Sequence, residues 1–239
     1  MANAPLYIVH VNAGGEVDQL EYARSKGVQI YAETCPQYLL FSDEELARPD
    51  GAKWICSPPL RTRQDSQRIW EGLSSHVIDT IGTDHCPFFL NGNQPIDYEG
   101  HQVKIPGKEL GTGDFTKIPN GLPGVGDRLP VLWTEMIHKR GFSKNDFVRL
   151  TSTNPSKMFG LFPRKGVIRP GADADLVIWD PAAKVRYGVA YSQQRTDHNL
   201  YEGFELEGFP QVVFLRGKQI VNRGKWMGDE DFCAVPTAG

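Results

Sequence analysis

Long apolar runs are absent from the 239 residues. No stretch approaches the roughly 20 consecutive apolar positions that a membrane-spanning helix needs. The opening MANAPLYIVH carries no basic stretch ahead of its apolar residues, so it does not read as a signal peptide. A surplus of either charge is absent too, with 26 Lys and Arg against 29 Asp and Glu and a net charge of −3. That balance excludes a basic nucleic-acid binder of the usual kind and an acidic solvating tail. Cysteine is sparse: Cys35, Cys56, Cys86 and Cys233 stand far apart and form no C-x-x-C pair. They fit free thiols in a reducing cytoplasm better than a secreted disulfide framework. Internal repeats and low-complexity tracts are missing as well. What is there, 40% hydrophobic and 23% charged residues, is the composition of a globular protein with neither a membrane nor a nucleic acid as partner. Such a chain makes one large domain or two small ones and buries roughly 70–75% of its unfolded surface, so it needs no disulfide or metal staple.

Two kinds of pattern divide the chain. Leu6 to Val11 is a near-continuous apolar run, the mark of a strand covered on both faces. A helix follows, with Val17, Leu20 and Ala23 at turn spacing and Gly27 placed to end it, and then a second strand from Val28 to Ala32. Trp54-Ile55-Cys56 reads as a third strand stopped by Pro58, Arg63 to Leu73 as a helix, and Val77 to Gly82 as a fourth strand. This alternation predicts a parallel α/β fold, doubly wound or part of a (β/α) barrel. A long Gly/Pro-rich segment from Phe88 to Pro123 has the character of a lid or binding loop, and within it Leu90 to Gly113 reads equally as a lid or a variable surface loop. Leu129, Leu132, Trp133, Met136 and Ile137 then mark an amphipathic helix, Ser143 with Asp146 a helix cap, and Asn154-Pro155 the start of a further helix ending at Gly160. Beyond Arg164 the pattern turns to short strands at 166–168, 174–179, 211–215 and 219–222, separated by turn signals including Asp180-Pro181 and Arg216-Gly217. The expected division is 1–165 and 166–239.

Ligands and catalytic groups in parallel α/β folds gather at the carboxyl ends of strands. His10, Ser57 and Asp84 stand at or near such ends. Taken singly each has a plain structural explanation: a core histidine for His10, a turn cap for Asp84. His85 adjoins Asp84, but neighbours in sequence leave a strand in opposite directions, so the two are not expected to serve one ion.

The words around these residues are more specific. LYIVHV (6–11), AETCPQYLL (32–40), CSPPLR (56–61), GTDHCPF (82–88), DFTKIPNGLPGVGDR (114–128), LTSTNPSKMFGLFPRKG (150–166) and GADADLVIWDP (171–181) resemble the dihydropyrimidinase/hydantoinase branch of the metal-dependent amidohydrolases. The resemblance implies the C-terminal part of a (β/α)8 TIM-type barrel, about strands six to eight, in residues 1–165. Residues 166–239 would form part of a small β-sandwich. It implies a site with two zinc ions, in which His10 is a ligand of one and Asp84 a ligand of the other. Ser57 and Asn120 would offer main-chain groups to a cyclic amide or imide, and Cys86 would line the pocket for the substrate's side chain. The implied reaction is attack of a zinc-activated water on the ring carbonyl. Asp84 would carry the proton from water to the departing ring nitrogen, giving an N-carbamoyl amino acid.

The chain also departs from the family. No His-x-His pair occurs, and the bridging lysine and further histidine of the family's earlier strands have no counterpart here. His10 and Asp84 alone fall short of the about four donors that hold zinc, so weak or absent metal binding and no activity are expected of this chain by itself. It reads as the C-terminal half of a hydrolase of about twice its length. In that complete protein a homo-oligomer, commonly a tetramer, is the family's habit; otherwise a complementing N-terminal half would act as partner. Two other readings stand beside this one. A non-catalytic dihydropyrimidinase-related interaction protein would have dispensed with His10 and Asp84. An allantoinase or dihydroorotase would carry His where this chain has Gln37.

Overall fold

The computed structural model describes residues 4–92 and 95–228, so Cys233 lies outside the described residues. The chain begins with β1 (Leu6–Ile8), α1 (Gly14–Ser25), β2 (Ile30–Thr34), α2 (Pro36–Leu40), α3 (Arg63–Ser74) and β3 (Thr80–Ile81). The three strands pair in parallel in the order β1-β2-β3, with Ile8 opposite Ala32 and Thr34 opposite Ile81. Local chemistry explains the helix ends. At the start of α1 the Glu16 carboxylate accepts the N–H groups of Asn12 and Ala13 at 2.7 and 3.1 Å. At its end Gly27 (φ 75°) lets its own N–H reach Arg24 O and that of Val28 reach Ala23 O, a Schellman closure. That closure uses Val28, which is why β2 starts two residues later than the apolar pattern suggests. Thr62 and Asp65 cap α3 reciprocally, at 3.2 and 3.0 Å. Val17 and Leu20 of α1 and Ile69 and Leu73 of α3 join Ala32 and Ile81 of the sheet in one core. The helices cross so closely that a Cβ on Gly72 would stand 2.9 Å from Val17 Cγ1.

Four expectations need correction. Trp54-Ile55-Cys56 is not a strand: Trp54 ends a 3-10 turn (Gly51–Trp54), and Ile55 O accepts from Gly121 N–H rather than joining a ladder. Residues 166–168 form no strand either, since Gly166 turns at φ 78° and Ile168 is 85% exposed. Asn154 caps no new helix. α4 (Arg128–Trp133) runs on as a π-helical segment, Thr134–Lys139. α5 (Lys144–Val148) likewise passes through a π-helical segment (Arg149–Thr153) into α6 (Asn154–Met158) without a break. Pro155 lacks an N–H and crowds the carbonyl four residues back, and the wider π turn just before it relieves both problems. Asp180-Pro181 does not end a strand: it is absorbed as a bulge between Asp180 and Lys184.

The long segment between β3 and α4 contains a hairpin, β4 (Ile96–Tyr98) with β5 (His101–Val103), turning at Glu99-Gly100. The last part of the chain is an antiparallel sheet, β6 (Leu176–Arg186), β7 (Glu205–Leu215), β8 (Lys218–Asn222) and β9 (Lys225–Trp226), in that order. Trp133 of α4 stacks on Trp179 of β6 with ring centroids 4.7 Å apart. Gly208 on β7 (φ 90°) lies against the same indole, where a Cβ would come within 2.1 Å of Trp133 Nε1. Beside this contact Asp127, fully buried, accepts hydrogen bonds from Tyr187 (2.8 Å), Gln194 (2.8 Å), Asn199 (3.0 Å) and Ser192 (3.3 Å). No helix among the described residues is long and apolar enough to cross a membrane.

Asp127→Asn keeps the shape but puts an amide N–H among groups that donate. We expect it to lower the free energy of unfolding by about 2–4 kcal/mol, read from urea midpoints.

Candidate active site

The main-chain ladder sets the strand ends. Val11 N–H donates to Glu33 O at 2.7 Å, the Thr34 hydroxyl to Val11 O at 2.7 Å, and Gly82 N–H to Thr34 O at 2.9 Å. His10 and Asp84 therefore follow the ends of β1 and β3, the two strands that pair with β2 on either side. Both have left-handed backbone, φ 43° and 49°. The other non-glycine residues of positive φ have turn explanations. Glu99, Arg216 and Arg223 each precede a positive-φ glycine between paired strands, and His76 follows α3. No hairpin requires this conformation at His10 or Asp84. Backbone strain of this kind, worth about 1–3 kcal/mol each, gathers at functional sites.

The approach to Asp84 is held from three sides. Arg128 Nη1 donates to Ile81 O at 2.7 Å, and Gln37 Nε2 donates to Thr83 O at 3.3 Å. A Cβ on Gly82 would stand 2.5 Å from Glu33 Cδ, so a glycine is needed for the chain to pass the Glu33 carboxylate. Glu33 in turn accepts from Tyr7 at 2.9 Å, and the Tyr7 oxygen lies 2.6 Å from Thr80 Oγ1. With the phenol proton committed to Glu33, Thr80 donates to Tyr7. Burial pushes the Tyr7 phenol well above its ordinary range. His85 turns away from Asp84: its Nδ1 accepts the N–H groups of Gly124 and Val125 at 3.0 and 3.2 Å.

No three His, Cys, Asp or Glu side chains among the described residues are grouped to hold a metal ion. A zinc site takes about four donors, so His10 and Asp84 do not make one by themselves.

Ser57, Asn120 and Cys86 come together. Asn120 Nδ2 donates to Ser57 Oγ at 2.8 Å. Gly121, next along the chain, packs on Cys86 so tightly that a Cβ there would lie 2.3 Å from the Cys86 carbonyl oxygen. Cys86 N–H donates to Leu122 O at 3.0 Å, which fixes the two segments in register. Ser57 is itself held by the turn that follows it, where Pro58 O accepts from Tyr38 Oη at 3.0 Å and Cys56 Sγ at 3.2 Å, and Pro59 O from Asn12 Nδ2 at 2.6 Å. Burial pushes the Cys56 thiol up to about 11, so it is a structural donor rather than a nucleophile.

The foot of the β4–β5 segment is anchored beside this group. Asp197 accepts the N–H groups of Leu90 and Asn91 at 2.7 and 2.8 Å, and Glu109 those of Gly92 and Gly107 at 2.9 and 3.0 Å. Buried Lys108 donates from Nζ to Ile55 O at 2.8 Å and Pro119 O at 3.2 Å. Sequence reasoning missed the contacts made by Gln37, Arg128 and Lys108. Gln37 stands inside AETCPQYLL and Arg128 ends DFTKIPNGLPGVGDR, so both could have been suspected; a lysine in a loop gives no such signal.

These features define a parallel α/β unit with polar groups gathered at its strand ends and an antiparallel sheet docked at its side. The chain belongs to the amidohydrolase family, whose model matches residues 10–220. More narrowly, it is similar to D-hydantoinase of Rhizobium radiobacter, with 40% identity over 230 residues covering 95% of this chain and 47% of the relative. A solved D-hydantoinase from a Bacillus species superposes with a TM-score of 0.86 at 41% identity, over 95% of this chain and 47% of that one. The dihydropyrimidinase of Brevibacillus agri gives 0.86 at 40% identity, again over 95% and 47%. These neighbours have the amidohydrolase TIM-barrel fold. The chain spans about half the length of the curated relatives it matches.

Burial drives the His198 imidazolium below its ordinary pKa, despite Asp197 Oδ1 at 3.1 Å from Nδ1. The unfolded chain then takes up this proton before the folded one does, so the contribution is lost as pH falls below about 6.5. Urea midpoints should therefore decline from pH 7 to pH 5, and His198→Gln should show a shallower decline.

Proposed function

We propose that the chain supplies part of a hydrolase that opens cyclic amides, converting a hydantoin or dihydropyrimidine ring to an N-carbamoyl amino acid. The observation that carries this reading is the approximately 40% identity to D-hydantoinases across nearly the whole chain, joined to the left-handed backbone at His10 and Asp84. In this reading residues 1–165 are the later part of the barrel, with β1, β2 and β3 as strands six, seven and eight. The chain from residue 166 onward is part of the β-sandwich. Main-chain groups at Ser57 and Asn120 bind the ring amide, and Cys86 lines the pocket beside them. Asp84 takes a proton from the attacking water and returns it to the leaving ring nitrogen, so one carboxylate serves as base and then acid. His10 and Asp84 are two ligands of a zinc site whose other donors lie outside this chain, and the chain alone neither holds zinc tightly nor turns over. The complete protein is a cytoplasmic homo-oligomer or pairs this chain with a complementing amino-terminal half. Gln37 supports a hydantoinase or dihydropyrimidinase over an allantoinase or dihydroorotase.

The test compares the purified chain, alone and co-expressed with the amino-terminal half of a D-hydantoinase, on hydantoin and dihydrouracil with zinc and bicarbonate. We expect no turnover from the chain alone and ring opening from the complemented protein, with Asp84→Asn lowering kcat by about 10²–10⁴-fold. Turnover by the isolated chain overturns its predicted inactivity. A complemented, folded, zinc-loaded protein that opens neither ring favours the non-catalytic interaction protein.

A further inference from the structure

Lys108 is 2% exposed, and among the described residues no carboxylate forms an ion pair with it. Burial therefore pulls its ammonium down to about 8. Packing alone does not account for a lysine here, because an apolar side chain would fill the same space without the cost of desolvating a charge. Its contacts show what the charge does. Nζ donates to Ile55 O at 2.8 Å and to Pro119 O at 3.2 Å, carbonyls that are 64 residues apart in sequence. Ile55 lies two residues before Ser57, and Pro119 directly precedes Asn120. Gly121 N–H donates to the same Ile55 O at 3.1 Å, and Asn120 Nδ2 closes the group on Ser57 Oγ at 2.8 Å. Lys108 is also fixed at its own main chain, where its N–H donates to Phe89 O at 2.8 Å. The strap that carries the β4–β5 hairpin and the two segments bearing Ser57 and Asn120 thus meet at one ammonium.

We propose that Lys108 is a positioning residue: by tying the Ile55 and Pro119 carbonyls together, it fixes the Ser57 and Asn120 segments at the spacing that receives a ring amide. The proposal rests on the cyclic-amide reading for what is received, and on the contacts alone for the tie. Two chain segments that meet through few main-chain bonds would otherwise drift relative to each other, and a substrate held by groups from both would lose binding rather than chemistry. Tightening them beforehand lowers the ordering cost when the ring arrives. The β4–β5 strap is coupled to the same point, so its position sets the spacing of the pair.

The experiment uses the full 239-residue chain. In Lys108→Met, which keeps the length and removes every donor, amide hydrogen exchange at Gly121 should quicken roughly tenfold, the equivalent of one lost hydrogen bond. Far-UV circular dichroism should stay unchanged. In the unsubstituted chain, lysine-labelled spectra should show one ammonium coupled across hydrogen bonds to the carbonyl carbons of residues 55 and 119. This second measurement needs no variant to fold. In the chain complemented by an amino-terminal half, Lys108→Met should raise KM for the ring roughly tenfold and leave kcat within about threefold. Unchanged exchange at Gly121, missing couplings to both carbonyls, or a fall in kcat with KM unmoved each overturns the proposal. If the complemented chain opens no ring while Lys108→Met still loosens Gly121, the tie stands and the cyclic-amide reading falls.

Discussion

A carboxylate removed from water has to be met by donors, and Asp127 is met by four side chains contributed from residues 187–199. This is the joint on which the architecture depends. Asp127 stands at the start of α4, whose Arg128 holds the end of β3. Tyr187 directly follows β6 and lies opposite Phe204, which leads into β7. One buried charge therefore connects the end of the parallel sheet to the beginning of the antiparallel one. The Trp133–Trp179 stack beside it supplies apolar area, but apolar contact is non-directional and tolerates sliding. Hydrogen bonds to a buried anion do not, because an uncovered lone pair in that position is costly.

The same principle operates at the strand ends. His10 and Asp84 keep unfavourable backbone angles because Val11 and Gly82 are bonded to consecutive residues of β2, Gln37 holds the carbonyl of Thr83 and Arg128 that of Ile81. The scaffold sets where each side chain starts, and strain at two residues is the consequence. Among the described residues β1 pairs only with β2, and Leu6 and Val9 are 50% and 46% exposed. β1 is thus an edge strand with one unpaired side, in a chain that covers about half the length of its relatives.

Much of this was legible in the residues. The closure at Gly27 and the reciprocal cap at Ser143–Asp146 involve partners within five positions, and Arg216-Gly217 marks its turn as openly. The parallel α/β beginning and the antiparallel ending follow from apolar periodicity, which also places His10 and Asp84 just beyond β1 and β3, whereas Ser57 follows a 3-10 turn and not the strand its apolar neighbours suggest. Trp54-Ile55-Cys56 misled because an apolar run records burial, and a buried segment need not have a ladder partner. Residues 166–168 and Asp180-Pro181 misled in opposite directions, for the same reason: a strand is a relation between two segments, and one segment alone does not contain it. The π-helical turns before Pro155 were hidden because a helix can shift its hydrogen bonds by one residue without changing its apolar face appreciably.

The sequence by itself determined α1 and α3, the turns at Gly27 and Arg216-Gly217, and the succession of a parallel α/β part and an antiparallel one, since those depend on torsional preference and on contacts a few residues long. Only the tertiary structure decided that Asn120 meets Ser57, that Asp127 gathers its four donors, and that Lys108 is buried between two carbonyls rather than spread in solvent. Each of these joins segments tens of residues apart. The energy that fixes them is the cost of leaving a polar group unpaired once the chain has closed around it, a quantity that does not exist until the fold does.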